Sequence, residues 1–302
     1  MHLAPRGRKP NRNLRYNLIM KKLIIGGVPE HFNLPWQIAI GEKKFEAEGV
    51  ELVWRDFPKG TGDLNRALRA KEIDLAVILT EGIVRDIVQG NPAKIAQVYV
   101  KSPLLWGIHV AAGSDYQSIA DLKGTHAAIS RYGSGSHLMA FVNAESHGWN
   151  LTEDLKFEVI DDLNGALKGL PEGRGDYFMW EKFMTKPYVD QGIFRRIGEC
   201  PTPWPSFVIA ARNDVLDAHE PDVRSVLKVI NAATATFKDA PQTEALIAER
   251  FGQKPADVKA WLSLTQWASE PLTHDELGDV QEKLMQLGLI EEALAARDIL
   301  AF

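Results

Sequence analysis

Residues 129–137 read Ile-Ser-Arg-Tyr-Gly-Ser-Gly-Ser-His, and this stretch decides the fold prediction. The apolar segment that leads into it, Thr125–Ser130, has the length of a buried strand, and Leu138, Phe141 and Val142 then recur at helical spacing. The stretch therefore predicts a strand end, a glycine-serine loop and a helix start. Backbone N–H groups at a helix start lack intrahelical partners and the helix dipole is positive there, so the loop is suited to a small polar or anionic ligand. An ordinary serine N-cap on a flexible loop explains the same residues.

Segments on both sides of this loop alternate between strand and helix from Leu23 onwards, which favours an α/β fold. The predicted strands are Leu23–Val28, Val50–Phe57, Ile73–Leu79, Ile95–Val100, Trp106–Ala112, Thr125–Ser130, Phe157–Ile160, Asp176–Trp180 and Phe207–Ala211. Before the last strand, the predicted helices are Trp36–Glu48, one that opens at Thr61, Gly82–Gln89 and Leu163–Leu170. After it the pattern is helical, over Pro221–Asp239, Glu244–Phe251, Ala256–Ser269 and Asp275–Leu287. A second unit begins near Trp106, so two lobes are expected.

Composition supports a folded protein with a real core. The chain has 302 residues, of which 45% are hydrophobic. No run approaches the roughly 18 consecutive apolar residues of a membrane-spanning helix, so no membrane span is predicted. Cys200 is the single cysteine, which excludes an internal disulfide and a multi-cysteine zinc site. The histidine spacing matches no metal motif, and we expect neither a metal nor a cofactor.

Basic residues are concentrated at the start of the chain. Seven lysines and arginines precede Glu30, the first acid, although the net charge of the whole chain is −5. The rest is therefore acidic, and we do not expect it to bind nucleic acid. Residues 1–20 are predicted to be a disordered basic leader, since they lack the apolar core and cleavage site of a secretory signal. A true start at Met20 and an arginine-rich targeting sequence are the alternatives, and localisation stays open.

Several short motifs, taken in order, resemble the type 2 periplasmic-binding-protein fold in its sulfonate, taurine, nitrate and thiamine-pyrimidine branch. They are Gly26–His31 with Leu34-Pro35, Lys71–Val77, Gly90-Asn91-Pro92, Ser102–Gly107, Asp121–Gly124, Ser130–His137 and Gly175–Glu181. No single motif is diagnostic, and together they point more to the fold than to the ligand.

The resemblance implies two α/β lobes joined by two crossings, with a ligand cleft between them and the C-terminal helices packed on lobe one. We place the crossings near Val100–His109 and Gly198–Phe207. Lobe one then comprises residues 21–103 and 208–302, and lobe two residues 104–207. Ligands of such folds bind where strand ends and helix N-termini face the cleft, which agrees with the reading of the serine loop.

Candidate ligand contacts follow strand ends on both lobes. In lobe one they are Glu30, His31, Asn33, Thr80, Glu81 and Ser102. In lobe two they are Arg131, Ser134, Gly135, Ser136, His137, Trp180 and Glu181. The glutamates suit an amine or another hydrogen-bond donor, and Arg131 suits a carboxylate, sulfonate or phosphate. The mixture indicates an amphoteric or uncharged polar ligand, although each acid also fits a carboxylate that merely starts a helix.

The resemblance predicts a solute-binding protein that captures a small polar organic ligand, such as a sulfonate or a pyrimidine, by lobe closure. Its expected partner is an ABC-type permease. The alternative is a cytosolic lyase or synthase on the same scaffold, similar to the menaquinone-pathway lyases or to the fungal thiamine-pyrimidine synthase. The cysteine cluster of that synthase has no counterpart here, and no nucleophilic serine with its base can be assembled from the sequence. The pattern therefore favours a binding protein over an enzyme.

Overall fold

The computed structural model describes residues 20–302, so the leader predicted at 1–20 lies outside the described residues except for Met20. The strands of the described part are β1 Lys21–Gly27, β2 Val50–Asp56, β3 Leu75–Leu79, β4 Ala93–Val100, β5 Leu105–Ala111, β6 His126–Ile129, β7 Lys156–Val159, β8 Tyr177–Glu181, β9 Phe194–Pro201 and β10 Phe207–Arg212.

Helices surround these strands. They are α1 Leu34–Gly41, α2 Lys44–Ala47, α3 Thr61–Arg69, α4 Thr80–Val88, α5 Gly135–Ser146, α6 Leu163–Gly169, α7 Lys186–Asp190, α8 Asn213–Phe237, α9 Thr243–Phe251, α10 Pro255–Leu264, α11 His274–Gln286 and α12 Ala296–Ile299. Two short 3-10 helices cover His31–Asn33 and Ile119–Leu122. Within residues 20–302, no helix is long and apolar enough to cross a membrane.

The strands form two five-stranded mixed sheets, ordered β2-β1-β3-β10-β4 and β7-β6-β8-β5-β9. In each sheet three neighbouring strands are parallel, and the fourth, β10 or β5, runs antiparallel to both of its neighbours. We call the part built on the first sheet lobe one and the part built on the second lobe two. All five residues of β3 are buried, because helices cover both faces of its sheet, and this explains its unbroken apolar sequence.

The chain passes between the sheets twice, at residues 101–104 and 202–206. The two crossings are bonded to each other, since the Leu104 N–H donates to Thr202 Oγ1 at 2.9 Å and the Ser206 hydroxyl donates to the Ser102 carbonyl at 2.8 Å. These bonds hold the two crossings side by side.

The C-terminal helices pack on lobe one. Helix α8 lies against α1 and β2, and α11 lies against α4. Leu227, Ile230 and Trp261 are buried in the main hydrophobic core, as their helical spacing predicts. This arrangement agrees with the predicted α/β fold of two lobes with a helical C-terminal segment on the first.

Two predicted helices differ in detail from the structure. The helix predicted at Trp36–Glu48 is split into α1 and α2, because Lys43 adopts a left-handed conformation with φ 57°. Helix α8 begins well before the predicted Pro221 and bends at His219, where φ is −141°. Pro221 then lies in the first turn of the second part, where a missing N–H is tolerated.

Candidate functional site

A cleft between the lobes collects residues that follow strand ends. It has about 390 Å³ of space free of protein atoms, counting the part that opens to solvent. Its lining consists of Val28, Glu30, Lys59, Gly60, Thr61, Leu79, Leu104, Trp106, Ser130, Ser134, Gly135, Ser136, Trp180, Glu181 and Phe207. Carboxyl ends of parallel strands from both sheets therefore meet at one cleft, the position at which open α/β sheets bind ligands.

The serine loop forms the lobe-two wall at the N-terminus of α5. Ser134 is the N-cap, and its Oγ accepts from the His137 N–H at 3.4 Å. Ser136 Oγ accepts from the Ser130 N–H at 3.0 Å and lies 3.1 Å from Ser134 Oγ. Only one of the two hydroxyl hydrogens is needed between the serines, so the other can donate to a ligand. The N–H groups of Gly135 and Ser136 have no intrahelical acceptor, because they open the helix.

A second helix N-terminus, from lobe one, belongs to the same cleft. Lys59, Gly60 and Thr61 line it where β2 leads into α3. The Lys59 ammonium is half-exposed and lies 3.8 Å from Asp161 Oδ1 across the lobes. These three lining residues were not among the predicted candidate contacts, although the order of strand, glycine loop and helix start would have found them, as it found the serine loop.

Two carboxyl groups from different lobes meet in the cleft. Glu30 follows β1 and is 8% exposed, and Glu181 ends β8 and is 3% exposed. Burial, together with the neighbouring Glu181 charge, raises the pKa of Glu30 to about 8, and the Trp180 side chain offsets part of that rise. Glu181 Oε2 accepts hydrogen bonds from the backbone N–H groups of Phe183 at 2.8 Å and Met184 at 2.7 Å, which fix the position of this carboxyl group.

Apolar and aromatic side chains form the remaining walls. Trp180 is stacked on Phe178, with ring centroids 5.3 Å apart and planes 23° apart. Trp106 is also buried, and its indole N–H has no hydrogen-bond partner among the described residues. An unpaired buried donor costs about 1 to 3 kcal/mol, so an acceptor within reach of this N–H would stabilise the protein.

Other predicted contacts lie just behind the cleft wall. His31 is fully buried, with its ring centroid 4.0 Å from that of Trp261 and its Nε2 3.5 Å from Glu181 Oε2. Asn33 is also buried and donates to the Val28 carbonyl at 2.9 Å. Both side chains therefore support the loop that carries Glu30 and do not line the cleft.

Three predicted lobe-one contacts lie at or beside the crossings between the lobes. The Thr80 hydroxyl donates to the Pro205 carbonyl. Glu81 Oε2 accepts from Trp204 Nε1 at 2.6 Å, and burial raises the pKa of Glu81 to about 7. Ser102 Oγ accepts from a backbone N–H that follows α10, at 3.0 Å. These residues do not line the cleft and instead attach lobe one to the second crossing and the C-terminal segment.

Arg131 and His137 flank the serine loop without lining the cleft. An Arg131 Nη donates to the Gly60 carbonyl at 3.4 Å and lies 3.7 Å from Asp63 Oδ1, so it bridges the lobes. His137 Nδ1 accepts from the Gly133 N–H at 3.1 Å, which fixes the loop. Burial, with the charge of Arg85, lowers the pKa of His137 to about 4, so the ring is neutral at pH 7.

A glycine allows the lobes to approach each other. A Cβ on Gly135 would lie 2.4 Å from Leu79 Cδ1 in lobe one and 2.9 Å from Trp106 Cη2. Real Cβ atoms essentially never lie so close to another atom, so a larger residue here would force the Leu79 and Trp106 side chains to move. The two lobes therefore touch each other at Gly135.

Comparison with known proteins places this geometry in a class. Residues 106–200 match the family model described as Ca3427-like PBP. The chain is similar to the solved structure of the Candida albicans CA3427 gene product, with 28% identity over 91% of this chain and 92% of that chain and a TM-score of 0.84. That protein is described as exhibiting the generic periplasmic binding protein structural fold. No curated protein matches the chain.

Two more distant structures are similar in fold. One is the alkanesulfonate-binding protein SsuA from Xanthomonas axonopodis pv. citri bound to MOPS, 19% identical over 92% of this chain and 97% of that chain, with a TM-score of 0.78. The other is PhnD1 from Prochlorococcus marinus in complex with methylphosphonate, 13% identical over 89% of this chain and 99% of that chain, with a TM-score of 0.62. The chain thus has the type 2 periplasmic-binding-protein fold, which confirms the fold expected from the sequence motifs. Within that fold, the segment from Trp106 to Cys200 is similar to the Ca3427-like family.

Proposed function

We propose that this protein is a solute-binding protein that captures a small organic anion by closing its two lobes. The observation that carries the proposal is that the N-termini of α3 and α5, which belong to different lobes, line the same cleft. Each terminus offers unpaired N–H groups and a partial positive charge. An anion between them contacts both lobes only when they are closed, so its binding stabilises the closed state.

The groups around these termini suit an oxyanion. Ser134 and Ser136 supply a hydroxyl donor, Thr61 begins α3, and Lys59 adds a positive charge at the same wall. Sulfonate and methylphosphonate, named with two of the structures that share the fold, are tetrahedral oxyanions of the kind such donors bind. A carboxylate offers the same acceptor chemistry. We propose that the captured solute is delivered to an ABC-type permease.

The test is a thermal-shift screen of the purified protein against alkyl sulfonates, alkyl phosphonates, carboxylates and pyrimidines. A ligand that binds the native state raises the apparent melting temperature by mass action. Each hit is then incubated with the protein and weighed by mass spectrometry. An oxyanion recovered intact supports a solute receptor, whereas conversion to a new mass supports the lyase or synthase alternative. Stabilisation by neutral pyrimidines alone would contradict the proposed anion site.

A further inference from the structure

We infer that the ligand is bipolar: opposite its anionic group it carries a cationic nitrogen, held between Glu30 of lobe one and Glu181 of lobe two. This inference rests on the proposed function, since it concerns the same cleft. The two carboxyl groups are buried, belong to separate lobes and line the cleft together.

The protein does not itself neutralise both acids. The Trp180 side chain, which hydrogen-bonds to the Glu30 carboxyl, is neutral and brings no positive charge to this acid, which is more than nine-tenths buried. Beside this pair of acids, His31 can carry a positive charge, and its Nε2 lies 3.5 Å from Glu181 Oε2. One imidazole supplies at most one positive charge for the two acids. Lys59 also lines the cleft, but its ammonium lies near Asp161 and is half-exposed.

Closing the cleft brings the two acids together, and two buried negative charges repel each other. Without ligand, the repulsion is relieved by keeping a proton on Glu30, which agrees with its raised pKa. A cationic nitrogen would displace that proton and be attracted to a carboxylate on each lobe. The repulsion across the cleft then becomes an attraction that favours closure.

The surroundings suit an ammonium or amidinium group. Trp180 precedes Glu181 in the sequence and lines the same cleft. The face of an indole ring attracts a cation. Elsewhere in the lining of the cleft, the helix N-termini and serines repel a cation and attract an anion. The two polar regions of the cleft therefore complement the two ends of one bipolar molecule.

The test uses matched pairs in which a methyl group replaces the ammonium: 2-aminoethanesulfonate with propanesulfonate, 2-aminoethylphosphonate with propylphosphonate, and β-alanine with butyrate. Isothermal titration calorimetry measures each affinity for the wild-type protein and for Glu30→Gln. We expect the aminated member of at least one pair to bind wild type about tenfold or more tightly, and Glu30→Gln to abolish that preference while still binding the methyl member.

A second measurement is independent of any variant. Calorimetric titration near pH 7 in two buffers of different ionisation enthalpy gives the number of protons released on binding. We expect close to one proton for the aminated ligand, because Glu30 must ionise when the ligand binds. Equal or tighter binding of the methyl members overturns this inference and leaves the anion site intact. No binding by any pair overturns the proposed function, and this inference with it.

Discussion

Replacing Glu30 with glutamine should flatten the pH dependence of stability in a defined window. Burial, with the Glu181 charge, raises the pKa of Glu30 from 4.5 to about 8 in the folded protein. The native state therefore keeps a proton that the unfolded chain has already lost. The sign follows from that difference: the contribution of Glu30 is fully present below about pH 4.5 and is lost as the pH rises through about 8.

The size of the effect follows from the same two values. Each pH unit inside the window lowers the free energy of unfolding by about 1.4 kcal/mol until the native group begins to ionise. Between about pH 6 and about pH 8.5, wild type should lose roughly 2 to 3 kcal/mol more than Glu30→Gln does. Urea unfolding followed by far-ultraviolet circular dichroism at both pH values measures this difference.

A matched control is Glu153→Gln, which changes an exposed glutamate. Between the two pH values, its free energy of unfolding should change by the same amount as that of wild type. If the Glu30→Gln and wild-type proteins lose the same free energy of unfolding between the two pH values, the Glu30 carboxyl is hydrated in the unliganded protein. The reasoning from a closed, dry pair of acids would then be refuted.

Three further variants test the cleft and the crossings between the lobes. Ser134→Ala with Ser136→Ala should weaken ligand binding while the free energy of unfolding falls by no more than about 1 to 2 kcal/mol, the scale of a lost helix cap, as read from calorimetric affinity and urea unfolding. Gly135→Ala should weaken binding about tenfold by blocking closure, since overpacking costs about 1 to 3 kcal/mol, and titration calorimetry measures the loss. Trp204→Phe removes the donor to buried Glu81 and should lower the free energy of unfolding by about 1 to 3 kcal/mol in urea titrations.

Controls distinguish these effects from general damage. Gly41→Ala is the partner of Gly135→Ala, because a Cβ on Gly41 meets no atom within 4 Å, and its ligand affinity should stay at the wild-type value. Adding Glu81→Gln to Trp204→Phe should recover part of the lost stability, since a neutral amide is less costly to bury than an unpaired acid. Unchanged affinity in the serine double variant or in Gly135→Ala would remove the loop from the site. A double variant no more stable than Trp204→Phe would contradict the role of the buried acid.

Local sequence patterns predicted those parts of the fold whose cause is local. The unbroken apolar run of β3 marks a strand buried on both faces, and the serines before α5 mark a helix start. Strand β9 was not predicted, because it lies at the edge of its sheet, where six of its eight residues are partly buried or exposed and two are arginines. Strand β9 therefore shows neither an apolar run nor a regular alternation.

In the candidate site, too, the sequence predicts what depends on neighbouring residues and not what depends on residues distant in the chain. Glu30 and Glu181 follow strand ends, so topology alone brings them to the cleft edge. His31 is adjacent to Glu30 in sequence, yet its ring packs on Trp261 of α10, a contact no local pattern reveals. Ser102 likewise bonds to a backbone N–H in the C-terminal segment. Residues near a strand end are thus predictable as candidates, whereas the direction of each side chain depends on distant packing.

The division of the polar groups between the lobes explains how recognition and closure are joined. If lobe two alone held both the serine loop and a complete cation site, a bipolar ligand would bind the open form nearly as tightly as the closed one. Here Glu30 and the α3 N-terminus are on lobe one, and Glu181 and the α5 N-terminus are on lobe two. Each end of a bipolar ligand therefore reaches its second partner only in the closed form. A ligand shifts a conformational equilibrium only by the difference between its affinities for the two states. Because the partners of each end of the ligand are divided between the lobes, the closed state binds the ligand much more tightly than the open state, and binding favours closure.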